Sequence, residues 1–406
     1  MSEPLVIVGN GMAAARLCEE LASRALGRYA VAIIGEERQL AYNRVLLSSV
    51  LAGETESDDI ALRPARWWRD RGVTLQCGAP ATAVDLAART VSVADGKTLG
   101  FAKLVFATGS RPIRLPISGA DLKGVLTFRD LADVASISRA ACKNSRVVVV
   151  GGGLLGLEAA YGLAKAGARV TLVHLMDRLM ERQLDPRAAT MLKRAVEAKG
   201  IEVLLNVETA RFVGDGCVEA VELKDGRILD AETVVVAVGV KPNAEIAAAA
   251  GLKVNRGIVV DDHLATSAPG VFAIGECAEH RGICYGLVEP AYEQAQVLAA
   301  HLVGEAADYH GSAVATNLKV AGINVYSAGS FLGDVGAQQI TLHDAGLDVY
   351  RKLVIERGRL AGAVLFGDTS DGPWYLDLIR SGVSTDDFRD ALMFGRALAG
   401  HEAEAA

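Results

Sequence analysis

The sequence predicts an α/β chain in which one strand–helix–strand domain is inserted into another, with a small α+β domain after them. Three observations predict it. Two glycine-rich turns, Gly9-Asn10-Gly11-Met12-Ala13-Ala14 and Gly151-Gly152-Gly153-Leu154-Leu155-Gly156, each follow an apolar run and each open a segment with helical spacing. Two kindred phrases, Ala107-Thr108-Gly109-Ser110-Arg111-Pro112 and Val238-Gly239-Val240-Lys241-Pro242, close apolar strands on either side of the second turn. From about residue 311 the texture changes to short strands, with helices after Gly372.

The first apolar run is Leu5-Val6-Ile7-Val8 and the second is Val147-Val148-Val149-Val150. Strand, tight glycine turn and helix in that order form a dinucleotide-binding βαβ unit. Glycine is needed because the turn leaves no room for a Cβ and a pyrophosphate must approach the backbone. The helix N-terminus then offers unpaired N–H groups and a favourable dipole to the phosphates. Two such turns imply two nucleotide cofactors on one polypeptide.

Tyr29 to Ile34 reads as the strand after the first turn, and it ends at Gly35-Glu36-Glu37. A carboxylate at that place hydrogen-bonds a ribose, and Glu36 is the choice. The corresponding strand after the second turn, Arg169 to Val173, ends in His174-Leu175-Met176-Asp177-Arg178. No acid stands at the expected place. A histidine there can meet a ribose hydroxyl or, when protonated, a 2′-phosphate, so NADH and NADPH both stay open.

Short strands around Thr90 to Val93 precede the first crossing phrase, and the strand ending at Ile274-Gly275-Glu276 follows the second. That Gly-acid end can bring a carboxylate to a second part of the first cofactor. A helix is expected over roughly Ala291 to Val303. In the terminal region strands are expected at Leu318 to Val325, Leu353 to Ile355 and Leu360 to Phe366. Trp67-Trp68, within the basic stretch Arg63 to Arg71, suits helix packing better than partner contact.

The chain has 406 residues, 51% of them apolar, with a formal net charge of −7. That length suits two or three domains. The absence of any Lys/Arg run argues against nucleic acid. No apolar stretch is long enough for a bilayer and no leader pattern precedes the first strand, so a cytoplasmic protein with no membrane partner is expected. The six cysteines, Cys18, Cys77, Cys142, Cys217, Cys277 and Cys284, form no Cys-x-x-Cys pair and no metal-ligand cluster. No metal site is expected.

The succession Gly9-x-Gly11-x-x-Ala14, Ala107-Thr108-Gly109, Gly151-x-Gly153-x-x-Gly156-x-Glu158 and Ala273-Ile274-Gly275-Glu276 resembles the FAD- and NAD(P)-dependent pyridine nucleotide-disulfide oxidoreductase superfamily. The resemblance implies two Rossmann-like domains: an FAD domain over 1–112 and 236–310, and an NAD(P)H domain over 113–235 inserted within it. It implies FAD on the first turn with Glu276 at its ribitol, and NADH or NADPH on the second turn. Beside the resemblance, Arg44 and Lys241 read as charges that either approach the FAD phosphates or flank the crossings, with an ordinary surface role as the alternative. Glu158 matches the glutamate beside the nicotinamide ring and is the candidate catalytic residue.

Finer phrases, Tyr42-Asn43-Arg44-Val45-Leu46-Leu47-Ser48-Ser49, Leu179-Met180-Glu181-Arg182-Gln183-Leu184-Asp185, Tyr285 to Pro290 and Gly367-Asp368-Thr369-Ser370-Asp371, are similar to the flavoprotein module of assimilatory nitrite reductase large subunits. The layout, with a C-terminal domain over 311–406, is also similar to rubredoxin reductases. Ferredoxin and rubredoxin reductases often carry a flavin-proximal lysine where this chain has Ser49, which favours the nitrite reductase branch. Those large subunits continue into cysteine-rich domains with an iron–sulfur cluster and sirohaem, and no such cysteine cluster is present in this sequence. The resemblance therefore implies a stand-alone electron-input flavoprotein, monomer or homodimer, serving a separate acceptor. The acceptor is a nitrate or nitrite reductase catalytic subunit, a rubredoxin or a ferredoxin. Two other readings stay beside it: an NADH oxidase or peroxidase, disfavoured by serine where those enzymes carry cysteine, and a non-catalytic flavin-dependent sensor.

Overall fold

The computed structural model describes residues 2–313, 315–320 and 322–403. The chain divides into two compact units: Met1–Leu47, Thr55–Ile113 and Val240–Ser312 in the first, Ser48–Glu54, Arg114–Gly239 and Ala313–Ala406 in the second. Each is built on its own parallel sheet.

The first unit holds a five-stranded parallel sheet in the order Val271–Ala273, Lys103–Phe106, Glu3–Val8, Tyr29–Gly35, Thr74–Cys77. Its central strands read as continuous apolar runs because both faces are covered; Leu5, Val6, Ile7 and Val8 are all buried. Helices Met12–Ala25 and Val288–Val303 pack against each other through buried faces. The expected strands around Thr90 form an antiparallel meander of Ala81–Asp85, Thr90–Val93 and Thr98–Gly100. The two crossing phrases pair with each other: Ser110–Pro112 runs antiparallel to Val240–Pro242, with Arg111 opposite Lys241. Trp68 is buried in the core of this unit and Trp67 packs against it, flanked by Arg63 and Arg71.

The second unit repeats the plan with the order Glu202–Leu204, Arg169–Val173, Arg146–Val150, Thr233–Val236, Val125–Thr127, again all parallel. Helix Pro186–Glu197 buries Ala188, Ala189, Met191, Leu192 and Val196 at helical spacing. It starts where Asp185 accepts the Ala188 N–H and Pro186 fills the first position, where its missing N–H costs nothing.

The terminal region of that unit is an antiparallel sheet in the order Ala315–Val320, Ile323–Gly329, Arg359–Phe366, Val349–Glu356, Gln338–Asp344. Helix Gly372–Ser381 covers it, with Tyr375, Leu376 and Leu378 in the shared core. The stretch read as one strand, Leu318 to Val325, is split between two that pair antiparallel, with Gly322 at φ +75° in the reversal. Strand Gln338–Asp344 carries Gln, Thr, His and Asp on an edge and was not anticipated. The Tyr350 hydroxyl donates to Asp185 Oδ2 at 2.8 Å, tying this sheet to helix Pro186–Glu197.

Candidate functional site

The first turn is a cradle fixed by close backbone approach. Gly9 has φ +115°, and its N–H donates to the Ile34 carbonyl at 2.8 Å. A Cβ built there would lie 2.1 Å from the Ala107 carbonyl oxygen, so only glycine fits. Gly11 caps helix Met12–Ala25 with no side-chain partner for the free N–H groups and no acid in the first turn. No atom lies within 4 Å of a Cβ built on Gly11. Ala14 is fully buried, as the helix–sheet approach requires. An uncapped helix end beside open space, with a strand edge pinned beneath it, fits a pyrophosphate.

Glu36 follows strand Tyr29–Gly35 and is exposed. Its neighbour Glu37 is taken by the Arg44 guanidinium and by the Tyr42 hydroxyl, which donates to it at 2.6 Å. Arg44 is thus held inside this unit by Glu37 and Tyr42. Thr108 and Asn243 bond reciprocally, Thr108 Oγ1 donating to the Asn243 carbonyl at 2.6 Å and Asn243 Nδ2 to the Thr108 carbonyl at 3.0 Å. Gly109 sits next in the turn at φ +64°. Gly275, at φ +78°, donates its N–H to buried Gln294, and Glu276 accepts from the Ser110 hydroxyl at 2.7 Å. Ser49 lies in helix Leu47–Leu51, where its carbonyl accepts the Glu54 N–H, and it groups with the second unit.

The second turn reproduces the first. Gly151 has φ +121°, its N–H donates to Val173, and a Cβ there would meet the Ala237 carbonyl oxygen at 2.2 Å. Gly153 caps helix Leu154–Lys165 without a side-chain partner, and open space surrounds its absent Cβ. A Cβ on Gly156 would meet the Gly151 carbonyl oxygen at 1.9 Å. Gly239, at φ +117°, carries the chain out of strand Thr233–Val236.

Glu158 stands on helix Leu154–Lys165, and its carboxyl makes no hydrogen bond or ion pair among the described residues. Burial alone pushes its carboxyl up to about 7, so the neutral acid persists near neutral pH.

His174 is placed under the second turn. Its Nδ1 accepts the Gly152 N–H at 3.0 Å and its Nε2 faces Glu181 Oε2 at 3.1 Å. In this arrangement both ring nitrogens are engaged within the protein and neither is open to a ribose. Glu181 itself was not singled out from the sequence as a site residue, because nothing local marks an acid in that loop.

Among the described residues no cluster of His, Cys, Asp and Glu could hold a metal ion, and no helix is long and apolar enough to cross a membrane. Burial pushes the Cys18 thiol up to about 12 and also raises Cys77, Cys277 and Cys284. None of these four is activated as a thiolate. In the terminal domain Asp368 and Asp371 both accept from the buried Arg351 guanidinium, at 2.6 and 2.8 Å.

A family model described as pyridine nucleotide-disulphide oxidoreductase matches residues 3–301. A second, the rubredoxin NAD+ reductase C-terminal domain, matches residues 315–383. The nitrite reductase [NAD(P)H] of Bacillus subtilis (strain 168) is 44% identical over 377 residues, 93% of this chain and 47% of the relative. The assimilatory nitrate reductase electron transfer subunit of the same organism is 44% identical over 374 residues, 92% of this chain and 48% of the relative. The chain spans about half the length of these curated relatives. Among solved structures, the covalent putidaredoxin reductase–putidaredoxin complex aligns with a TM-score of 0.89 and 27% identity, covering 100% of this chain and 99% of that one.

Proposed function

The chain belongs to the pyridine nucleotide-disulphide oxidoreductase family, and from that premise we propose that it takes hydride from NADH or NADPH onto FAD and delivers electrons to a separate redox protein, in nitrate or nitrite assimilation. One observation carries the reading: the same polypeptide builds two uncapped helix N-termini, at Gly11 and Gly153, each beside open space and each pinned by a glycine against a neighbouring strand end.

Gly9, Gly11, Ala14, Glu36, Arg44, Ala107, Thr108, Gly109, Gly275 and Glu276 form the FAD side. The Gly9 and Gly109 backbone shapes the cradle, Glu36 accepts from a ribose, and Glu276 accepts from the ribitol chain. Gly151, Gly153, Gly156 and Gly239 would hold the nicotinamide nucleotide, and Glu158 would supply a carboxyl on the helix that follows that turn. Ser49 is uncharged and would leave the flavin without a cation from that position. When bound, the flavin supplies the exchange between a two-electron donor and one-electron acceptors; the residues bind, orient and exclude water.

The test is anaerobic rapid mixing of the FAD-loaded protein with NADH and with NADPH. Fast bleaching of the flavin by at least one of them, followed by reoxidation on adding ferricyanide, is expected. A flavin that neither nucleotide bleaches overturns the proposal and leaves a sensor. The match of residues 315–383 favours one second reading, a rubredoxin or ferredoxin reductase. It differs only in acceptor, and stopped-flow reoxidation by rubredoxin, ferredoxin and a sirohaem nitrite reductase in parallel separates the two.

A further inference from the structure

A dinucleotide-binding unit normally presents a carboxylate to the adenosine ribose at the end of its second strand. Here strand Arg169–Val173 ends in His174 instead. The structure brings a carboxylate, Glu181, against that histidine from further along the chain. His174 is 8% exposed, its Nδ1 accepts the Gly152 N–H, and its Nε2 lies 3.1 Å from Glu181 Oε2. Because Nδ1 is an acceptor, the ring proton sits on Nε2 and is donated to Glu181.

The segment bearing Glu181 is fastened to the same turn independently. The Met180 N–H donates to the Gly152 carbonyl at 3.0 Å, and Leu179 lies so close that a Cβ on Gly152 would meet its Cδ2 at 2.7 Å. Met180 takes φ +50°, an unfavourable conformation for a side chain with a Cβ, and two N–H groups, of Gln183 and Leu184, close on its carbonyl. Strain of that kind persists where the surroundings over-determine it. Glu181 is therefore held against the nucleotide turn by backbone, packing and imidazole together. Its Oε2 is used by His174. Its Oε1 has Arg182 as its ion-pair neighbour among the described residues, at 3.9 Å on a side chain that is 84% exposed.

We propose that Glu181 accepts the 2′-hydroxyl of the adenosine ribose and thereby sets a preference for NADH over NADPH; this rests on reading the Gly151 turn as the nicotinamide nucleotide site. A carboxylate fixed at that place accepts a hydroxyl hydrogen and repels a 2′-phosphate. Of the two arginines of the segment, Arg178 donates to exposed Asp177 at 2.9 Å and keeps its buried Nε without a hydrogen-bond partner among the described residues, and Arg182 faces solvent; on this proposal the Glu181 carboxylate outweighs both.

The test measures equilibrium binding of ADP-ribose and 2′-phospho-ADP-ribose to the FAD-loaded protein by calorimetry, for wild type, Glu181→Gln and Glu181→Arg, with melting temperatures as a check on folding. Wild type is expected to bind ADP-ribose at least tenfold tighter than the phosphorylated analogue. Glu181→Gln should bring the two affinities within about threefold, and Glu181→Arg should reverse their order. Equal or tighter binding of the phosphorylated analogue by wild type overturns the proposal. So does an unchanged ratio in Glu181→Gln, whose side chain has the same size and can still accept from His174, and which serves if the arginine variant does not fold. Flavin bleached by NADPH in preference to NADH sinks the role of Glu181 while the reductase reading stands. Failure of both analogues to bind and of both nucleotides to bleach the flavin sinks the two together.

Discussion

Two glycines of like appearance in the sequence have opposite duties, and substitution separates them. Gly9 has no room for a Cβ and sits at φ +115°, so Gly9→Ala should cost about 2 kcal/mol or more of stability and yield protein short of FAD, read by thermal unfolding and by the flavin absorbance ratio. Gly153 has ordinary backbone angles and open space around it, so Gly153→Asp should unfold within about 0.5 kcal/mol of wild type. Its new charge faces the pyrophosphate, and nucleotide-driven flavin bleaching should fall roughly 100-fold. Bleaching at the wild-type rate in Gly153→Asp would show that the second turn holds no nucleotide.

Glu158 gives a pH signature at the same scale. Its carboxyl is raised from the ordinary 4.5 to about 7, so the stability its neutral form contributes is complete below 4.5 and is lost as pH rises through about 7. Asp133, raised to about 6 by burial and by Asp130, acts with the same sign in both proteins compared. Melting temperatures of wild type and Glu158→Gln should therefore diverge in favour of the variant as pH rises from about 5 to 7, and the bleaching rate of the variant should lose an inflection near 7. Parallel melting curves across that range would place Glu158 in water.

Among the elements, the apolar four-residue runs and their glycine turns were legible because parallel strands buried on both faces are written locally, as Val147 to Val150 shows. Edge strand Gln338–Asp344 was not legible, since alternating polar residues leave no run to read. The loop Asp368–Asp371 owes its place to a distant side chain. Arg351 is buried and bonds both Asp368 and Asp371, while Arg396 N–H donates to Asp371 at 3.1 Å. Arg351→Met leaves the largely buried Asp371 carboxylate with the Arg396 N–H as its remaining partner among the described residues and removes the tie to Asp368, and should cost about 2 kcal/mol, measured by urea unfolding, with flavin bleaching by NADH within twofold of wild type in folded protein. An unchanged unfolding midpoint would mean that the pair of aspartates stands without it.

At the scale of the whole molecule, the thiols take no part in electron transfer on this reading. Cys142 and Cys217 are exposed and should react with iodoacetamide, whereas Cys18 and Cys277 are buried and should not. Bleaching and reoxidation should survive that alkylation unchanged; loss of either would restore a thiol-dependent mechanism. The sequence by itself determined the two glycine turns, their strands and the order of the four family phrases, because each depends on residues adjacent in the chain and on one allowed backbone conformation. It left an acid missing at His174. Only the tertiary structure decided that Glu181 comes to that turn, that Arg44 is held by Glu37, and that residues 48–54 group with the second unit. Arg44 and Glu37, like Glu181 and His174, are only seven residues apart, but loops rather than regular elements join them, and the Met180 N–H reaches back to the Gly152 carbonyl, so no local periodicity records these placements.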